Sequence, residues 1–494
     1  MPFAQTLLDS LLRDSPLIIG PLVLVVAATL MLWPLDLLVK RTGKRKWAGF
    51  TLVILVLVLL LTTGLGSWIP LTPDGSGFSA MFRMDGLTRG YQILCILAAI
   101  VTVLLSQGQL NALKEQTVEY YVLILLTLTG ALLLCGATDL VSMFFSLELM
   151  ALGLYILVAY LRNQERGVEA GMKYFLLGAF SSGILLYGIS LLYAASGGTT
   201  TNLAELHDQL ALASPNSSLL VFSGVLMVLI GFAFKVAAVP FHMWSPDAYE
   251  GAPTPITAFM SVAPKAAALA AFLRVFGTAF QGVRPDWTPV LGFMAGASMI
   301  VGNVAALRQQ SLKRLLAYSS IAHVGYMLLG ILATDRQGGS QAIWLYMLTY
   351  LLMQSGAFAV VIHLQGCNEG ERIDDLRGLG RRRPFLAFAM MVFMLSLAGI
   401  PPLIGFFSKF YLFALAIREG YYLLTALALL TSAVGAYYYL NVVNLMYFKE
   451  PGANEVPVLS RSMALIIAGA CLLILLGTCF GPWLMYFTTK ITWI

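Results

Sequence analysis

Segment after segment of this chain runs roughly 20 residues with little or no charge, the length a helix needs to cross a hydrocarbon core of about 30 Å. That feature removes most folds from consideration. In hydrocarbon every backbone N–H and C=O must be bonded within the chain, so only helices and closed barrels can span. Barrel strands would read as alternating segments of about ten residues, and the sequence has none. The expected fold is an all-α polytopic membrane protein in a lipid bilayer. Fourteen spans can be read, at 16–38, 47–69, 90–107, 117–136, 138–161, 169–195, 218–246, 255–279, 287–307, 311–332, 341–364, 384–415, 420–448 and 462–488. Charged residues make up only 11% of the chain, against about 25% in soluble domains.

The loops carry the charge, and they carry it unevenly. Lys40, Arg41, Lys44, Arg45 and Lys46 share one loop, and alternate loops continue the bias with Lys114, Arg162, Arg166, Arg308, Lys313, Arg314, Arg372, Arg377, Arg381 to Arg383, Lys449 and Arg461. The opposite loops hold few: Arg13, Arg83, Arg89, Arg284, Arg336, Arg418 and Lys490, with Arg274 at a helix end. By the positive-inside rule the basic side is cytoplasmic and both termini face away from it. The formal charge of +6 is therefore a topology signal and gives no reason to expect nucleic acid. A bacterial inner membrane is the expected location. The leader MPFAQTLLDSLLRDS lacks a small-residue cleavage signature, so the first span is expected to be retained.

The connections are short, the longest near 196–217 and 365–383, so no soluble domain fits between helices. There is no glycine-rich dinucleotide fingerprint, Walker loop or CxxC. Cys95, Cys135, Cys367, Cys471 and Cys479 show no ligand spacing and are expected to behave as small apolar residues. No cofactor is expected in this chain.

Apart from the loop and helix-end charges, four lysines fall within spans, Lys173, Lys235, Lys265 and Lys409, and one carboxylate, Glu148, lies deep in a span. A charge at the bilayer centre costs on the order of 3 kcal/mol or more, which makes each a functional candidate. Lys173 lies near a span end, where its head can reach the interface, and Glu169 four residues earlier shares its helix face. Lys265 lies about ten residues into its span, or ~15 Å along the axis, too deep to escape. Asp139, at a span end, reads as a helix cap. In LIGFAFKVAAVPFHMW, Pro240 must break the helix just after Lys235, because it lacks an N–H and clashes with the carbonyl four residues back. The carbonyls freed at that half-helix end are expected to favour the Lys235 ammonium. Burial penalises the charged form and a carboxylate partner stabilises it, so moving the partner could switch the lysine.

The segment recurs. Gly231–Lys235 reads GFAFK and Gly405–Lys409 reads GFFSK, 174 residues apart, with Pro240 near one and Pro401 and Pro402 near the other. The same offset carries Glu148 to a position beside His323, an imidazole that exchanges protons near neutral pH. Five spans separate the copies, so the second is inverted, as in many transporters. The expected division is 1–116 with the first three helices, 117–279 and 287–448 as two inverted five-helix repeats each with a broken helix, and 449–494 with the last. Glu148, Lys235, Lys265, His323 and Lys409 then form a series of proton-exchangeable groups, with Lys173, Pro240, His242, Pro401 and Pro402 in support.

The segments KVAAVPFHMWSPDAYEGAPTP, SLKRLLAYSSIAHVGY and SLAGIPPLIGFFSKFYLF resemble the antiporter-like membrane subunits of respiratory complex I. The resemblance spans about residues 80–450. Lys409 stands where two sister branches carry an acidic residue, which points to the N branch of the family. The resemblance implies a proton-translocating subunit of NADH:quinone oxidoreductase. Glu148 and Lys235 would be an input ion pair, Lys265 a central relay, His323 a bridge between half-channels and Lys409 an exit-side group. NADH, FMN, iron–sulfur clusters and quinone would belong to partner subunits: neighbouring antiporter-like and small membrane subunits, and a peripheral redox arm indirectly. A subunit of a multisubunit cation/proton antiporter or hydrogenase-type complex shares these motifs. A haem protein using His242, His323 and His363 and a passive scaffold are more distant readings.

Overall fold

The computed structural model describes residues 16–38, 46–63, 75–78, 80–113, 117–211, 218–334, 338–365, 372–451, 459 and 461–489. The leader, most of the 40–46 basic loop, Lys114, Arg336, Cys367 and Lys490 lie outside them. The helices run in chain order as α1 Pro16–Leu38, α2 Lys46–Thr63, α3 Gly86–Leu113, α4 Val118–Gly136, α5 Leu140–Val158, α6 Glu165–Ala195, α7 Leu203–Ala211, α8 Ser218–Val236, α9 Trp244–Gly251, α10 Thr254–Gly277, α11 Arg284–Ala306, α12 Leu312–Leu332, α13 Gly339–Gln365, α14 Leu379–Arg382, α15 Pro384–Ala398, α16 Ile404–Arg418, α17 Tyr422–Phe448 and α18 Arg461–Thr489.

Among the described residues, eleven helices are long and apolar enough to cross a membrane. The sequence suggested fourteen. The other three expected spans coincide with shorter apolar helices, Trp47–Thr63, Pro384–Ala398 and Met463–Gly477. The expected 384–415 span is in fact two helices of 15 residues, α15 and α16. Each is only about 22 Å long, short of the ~30 Å core.

Helix environment is graded from centre to edge. The α10 span is buried along its whole length, and α12 and α13 nearly so. By contrast α6 and α17 are only 39% and 33% buried and turn Met172, Phe180, Leu423 and Leu430 outward. Apolar side chains facing outward on long apolar helices are what lipid or partner helices require. The sequence placed Lys265 deep in its span, and its helix α10 is also the most enclosed.

The connections are more ordered than their composition suggests. Gly75–Gly77 (β1) pairs antiparallel with Phe82–Met84 (β2), Gly75 opposite Met84. Isolated bridges then join Phe82 to Ala137 and Asp139 to Asn202, knitting three loops on one side of the bundle. On the other side Ser311 bridges Arg372. The loop near 196–217 holds α7, and the loop near 365–383 holds a 3₁₀ turn at Ile373–Leu376 and α14. Asp139 caps α5, accepting from Val141 N at 2.9 Å and Ser142 N at 3.0 Å.

Two breaks interrupt the membrane path. The first separates α8 from α9 and contains Pro240; the second separates α15 from α16 and contains Pro401 and Pro402. At the second, Gly399 ends α15 at φ +81°, donating to Leu395 O and Ser396 O. Gly405 then starts the next helix against it, its N–H donating to Ser396 Oγ at 3.2 Å. A Cβ at Gly405 would lie 2.0 Å from Ser396 O. Gly405→Ala is therefore expected to cost about 1–3 kcal/mol through overpacking, seen as reduced yield of assembled protein in a membrane extract; wild-type yield would mean the two half-helices separate freely.

Candidate functional site

The first break is built around Trp244. This residue opens α9, stacks on Tyr174 of α6 with ring centroids 4.3 Å apart, and donates its indole N–H to Phe234 O at 3.0 Å. Ala237 N and Ala238 N close the neighbouring carbonyls of Phe234 and Ala233 at 3.0 and 2.8 Å. Ser298 of α11 accepts Val239 N at 2.9 Å. The freed carbonyls therefore go to an indole and to backbone N–H groups, and not to Lys235 as the sequence suggested. The α8 end bonds locally because the chain curls back on itself.

Lys235 instead faces a carboxylate. Its Nζ lies 3.5 Å from Glu148 Oε1 on α5, and Ser182 of α6 donates to the same oxygen. The Lys235 side chain is 3% exposed and that of Glu148 25%, so the lysine is enclosed and the carboxylate reaches the outer rim. Their helices meet through α6, which packs on both α5 and α8.

The carbonyl receptor is found at the second break. Lys409 Nζ donates to Leu397 O at 3.0 Å, Ala398 O at 3.1 Å and Ser432 Oγ at 3.0 Å. These are end carbonyls of α15, whose exposed dipoles favour a cation. A Cβ on Gly399 would sit 2.9 Å from Lys409 Cδ, and the φ of +81° there favours glycine, so this residue leaves the lysine stem its room. Lys235 thus precedes its break and Lys409 follows its own.

Between the two lie Lys265 and His323. Lys265 Nζ donates to Ser320 Oγ of α12 and sits 5.5 Å from the Tyr249 ring centroid. His323, one turn along α12 from Ser320, is buried, with Nδ1 2.6 Å from Tyr346 Oη and Nε2 3.3 Å from Tyr439 Oη. Tyr439 in turn meets Ser319. Tyr326, a further turn along, places its ring 5.3 Å from Lys409 Nζ and takes the Asn303 amide at 3.1 Å. Hydroxyls both donate and accept, so this set can hold protons and pass them in either direction. Both His323 ring nitrogens face tyrosine hydroxyls, an arrangement that does not suit a haem ligand. Among the described residues no group of three or more His, Cys, Asp or Glu side chains gathers as metal ligands would.

Lys173 is half exposed and lies on the basic side. It pairs with Glu169 at 2.8 Å, as its spacing predicted, and also with Asp247 of α9 at 3.2 Å. Arg314 bridges Asp247 and Glu250, both at 2.9 Å. His242 and Pro240 lie in the first break, Pro401 and Pro402 in the second. His242 Nδ1 is buried without a protein partner.

Sequence reasoning missed Ser182, Asp247, Ser320, Tyr346, Tyr439 and Gly399. Hydroxyl residues in apolar spans are common, so nothing marked these, although SSIAHVGY carried its serine pair in plain view. Asp247 read as an ordinary loop acid.

A bundle with two broken helices and a buried lysine beside each break defines the antiporter-like membrane proteins. The family described as "NADH:quinone oxidoreductase/Mrp antiporter, TM" matches residues 137–435. NADH-quinone oxidoreductase subunit N of Methylobacterium nodulans is 42% identical over 94% of this chain and 93% of its own length. The subunit N of Trichlorobacter lovleyi is 47% identical over 77% of each. A chain of respiratory complex I from Thermus thermophilus with bound aureothin superposes with a TM-score of 0.78 at 35% identity, over 94% of this chain and 98% of that one. The chain belongs to the NADH-quinone oxidoreductase subunit N family.

Proposed function

We propose that this chain is the proton-translocating membrane subunit of an NADH:quinone oxidoreductase, moving protons through Glu148, Lys235, Lys265, His323 and Lys409. The observation that carries the reading is Lys235, an enclosed ammonium 3.5 Å from a single carboxylate at the rim of the chain. A buried ion pair stripped of one member leaves an uncompensated charge. Charge arriving beside Glu148 from a neighbouring subunit would draw it from Lys235, and the lysine would then release its proton inward. Lys265 would take up that proton, and the His323 cluster would hand it to Lys409 in its carbonyl receptor.

The redox chemistry lies with partner chains, which supply NADH, flavin, clusters and quinone. The family relatives, named as quinone oxidoreductase subunits at 42% and 47% identity, favour this reading over a cation/proton antiporter. The two inverted repeats, 117–279 and 287–448, and the orientation with basic loops towards the cytoplasm of a bacterial inner membrane, belong to the same reading.

Proton pumping and NADH:quinone turnover in inverted membrane vesicles provide the test. Lys235→Ala should lower both together by about a hundredfold or more, the low end for a lost proton-transfer group, in a complex that still assembles. Unchanged pumping in assembled complex would overturn the reading.

A further inference from the structure

Beyond its basic first turn, helix α12 carries a run of polar side chains, Ser319, Ser320, His323 and Tyr326, in an apolar span. Ser320 is wholly buried, and Lys265 Nζ donates to its Oγ. Two tyrosines from different elements flank the site: Tyr249 of α9, whose ring lies 5.5 Å from Lys265 Nζ, and Tyr350 of α13, beside His323. Both tyrosines are fully buried, yet neither hydroxyl completes a hydrogen bond with a protein atom. Ser245, one turn before Tyr249, and Gln354, one turn after Tyr350, are likewise buried with polar atoms unpartnered. Buried polar side chains are normally satisfied, so unpartnered polar atoms on α9 and α13, the helices that bring Tyr249 and Tyr350 to this site, are unusual. The Tyr350 ring also packs 5.2 Å from His323.

We propose that Ser320 is the relay residue through which a proton leaves Lys265 towards His323. The inference rests on the proton-relay reading above and adds a step to it. A serine hydroxyl suits the place because it accepts and donates at once. As the Lys265 N–H bond breaks, a proton joins a lone pair of Ser320 Oγ. The hydroxyl's original proton leaves on its other side, towards the Tyr350 hydroxyl or a bridging water, and His323 receives the proton that this next group gives up. Lys265 ends as a neutral amine and His323 as an imidazolium. Ser320 is unchanged after its hydroxyl rotates back, so the step needs no oxidant or co-reactant.

Three substitutions test this in the assembled complex, in inverted vesicles, with NADH oxidation by a hydrophilic acceptor as a measure of intact redox chemistry. Ser320→Ala should lower proton pumping and coupled quinone turnover by about a hundredfold, at the low end for loss of a proton-transfer group. It should also enlarge the solvent deuterium isotope effect on that turnover. Ser320→Thr keeps the hydroxyl and should pump within about twofold of wild type. Ser320→Cys keeps the shape with a much weaker donor; it should follow alanine, and it serves if alanine disturbs assembly. Wild-type pumping by Ser320→Ala alongside a dead Lys265→Arg would remove Ser320 from the path and leave the relay reading standing. Equal loss in the alanine and threonine variants, with no change in isotope effect, would make Ser320 a packing residue and overturn the proposal. Full pumping by both Lys235→Ala and Lys265→Arg would sink the relay itself.

Discussion

Lys265→Arg is expected to abolish proton pumping while leaving a charged side chain on the same helix. The two residues carry the same charge, but a guanidinium does not give up its proton in a protein. Lys265 lies on the most enclosed helix of the bundle, with Ser320 and the Tyr249 ring as its neighbours. If its task were only to place a positive charge there, arginine would preserve it in part. If its task is to release a proton, arginine fails as completely as alanine. Pumping in inverted vesicles should fall by at least about a hundredfold, within the 10²–10⁴ range for a positioned acid–base group. Lys265→Ala, which relieves the extra bulk of arginine, should fail equally. Retained pumping by the arginine variant would show that only charge matters here.

The second large effect concerns stability. Arg274, in the last turn of α10, reaches Asp85 in a bidentate pair, Nη1–Oδ2 at 2.8 Å and Nη2–Oδ1 at 2.9 Å, and also donates to Thr88 Oγ1 at 2.9 Å. The side chains are 3% and 8% exposed. Asp85 meanwhile caps α3, accepting Thr88 N at 2.9 Å. One ion pair thus fastens the start of α3 to the end of the central helix. Removing one partner of such a pair costs about 3–5 kcal/mol. Arg274→Ala should accordingly reduce thermal stability and assembly sharply, and Arg274→Met combined with Asp85→Asn should recover much of the loss. If the single variant melts at the wild-type temperature, the pair is dispensable. Burial alone would push the Asp85 carboxyl up, but hydrogen bonding to Arg274, its charge and the Thr88 bonds outweigh it and hold the group below its ordinary value. Its contribution is therefore complete above the unfolded value of about 3.9 and is lost as pH falls through the lower folded one. Stability measured between neutral pH and pH 5 should not move on its account.

Much of the architecture was legible because a bilayer is a demanding solvent. Long uncharged runs admit one secondary structure, and the break after Val236 followed from Pro240 alone. The Lys173–Glu169 pair and the Asp139 cap were legible for the same reason: each is local, set by helix spacing. What could not be read was long-range. Arg274 and Asp85 lie 189 residues apart in the chain, and no periodicity brings them together. The carbonyl receptor was expected beside the wrong lysine, since sequence gives no sign that Trp244 would occupy Phe234 O first. The β1–β2 hairpin escaped notice because three-residue strands leave no pattern. The hydroxyls around Lys265 and His323 were invisible singly; they acquire meaning only once α9, α12 and α13 converge.

The two broken-helix lysines are anchored by different kinds of matter. Lys235 answers to a carboxylate near the rim, a group whose charge can be cancelled or pulled aside by whatever docks there. Lys409 answers to two backbone carbonyls and a serine, dipoles that are neither titrated nor carried away. A disturbance at the rim therefore alters the grip on one lysine and leaves the other as it was. On the proton path proposed above, one end is therefore adjustable and the other fixed, so a signal from a docked neighbour would be felt at the Lys235 end alone.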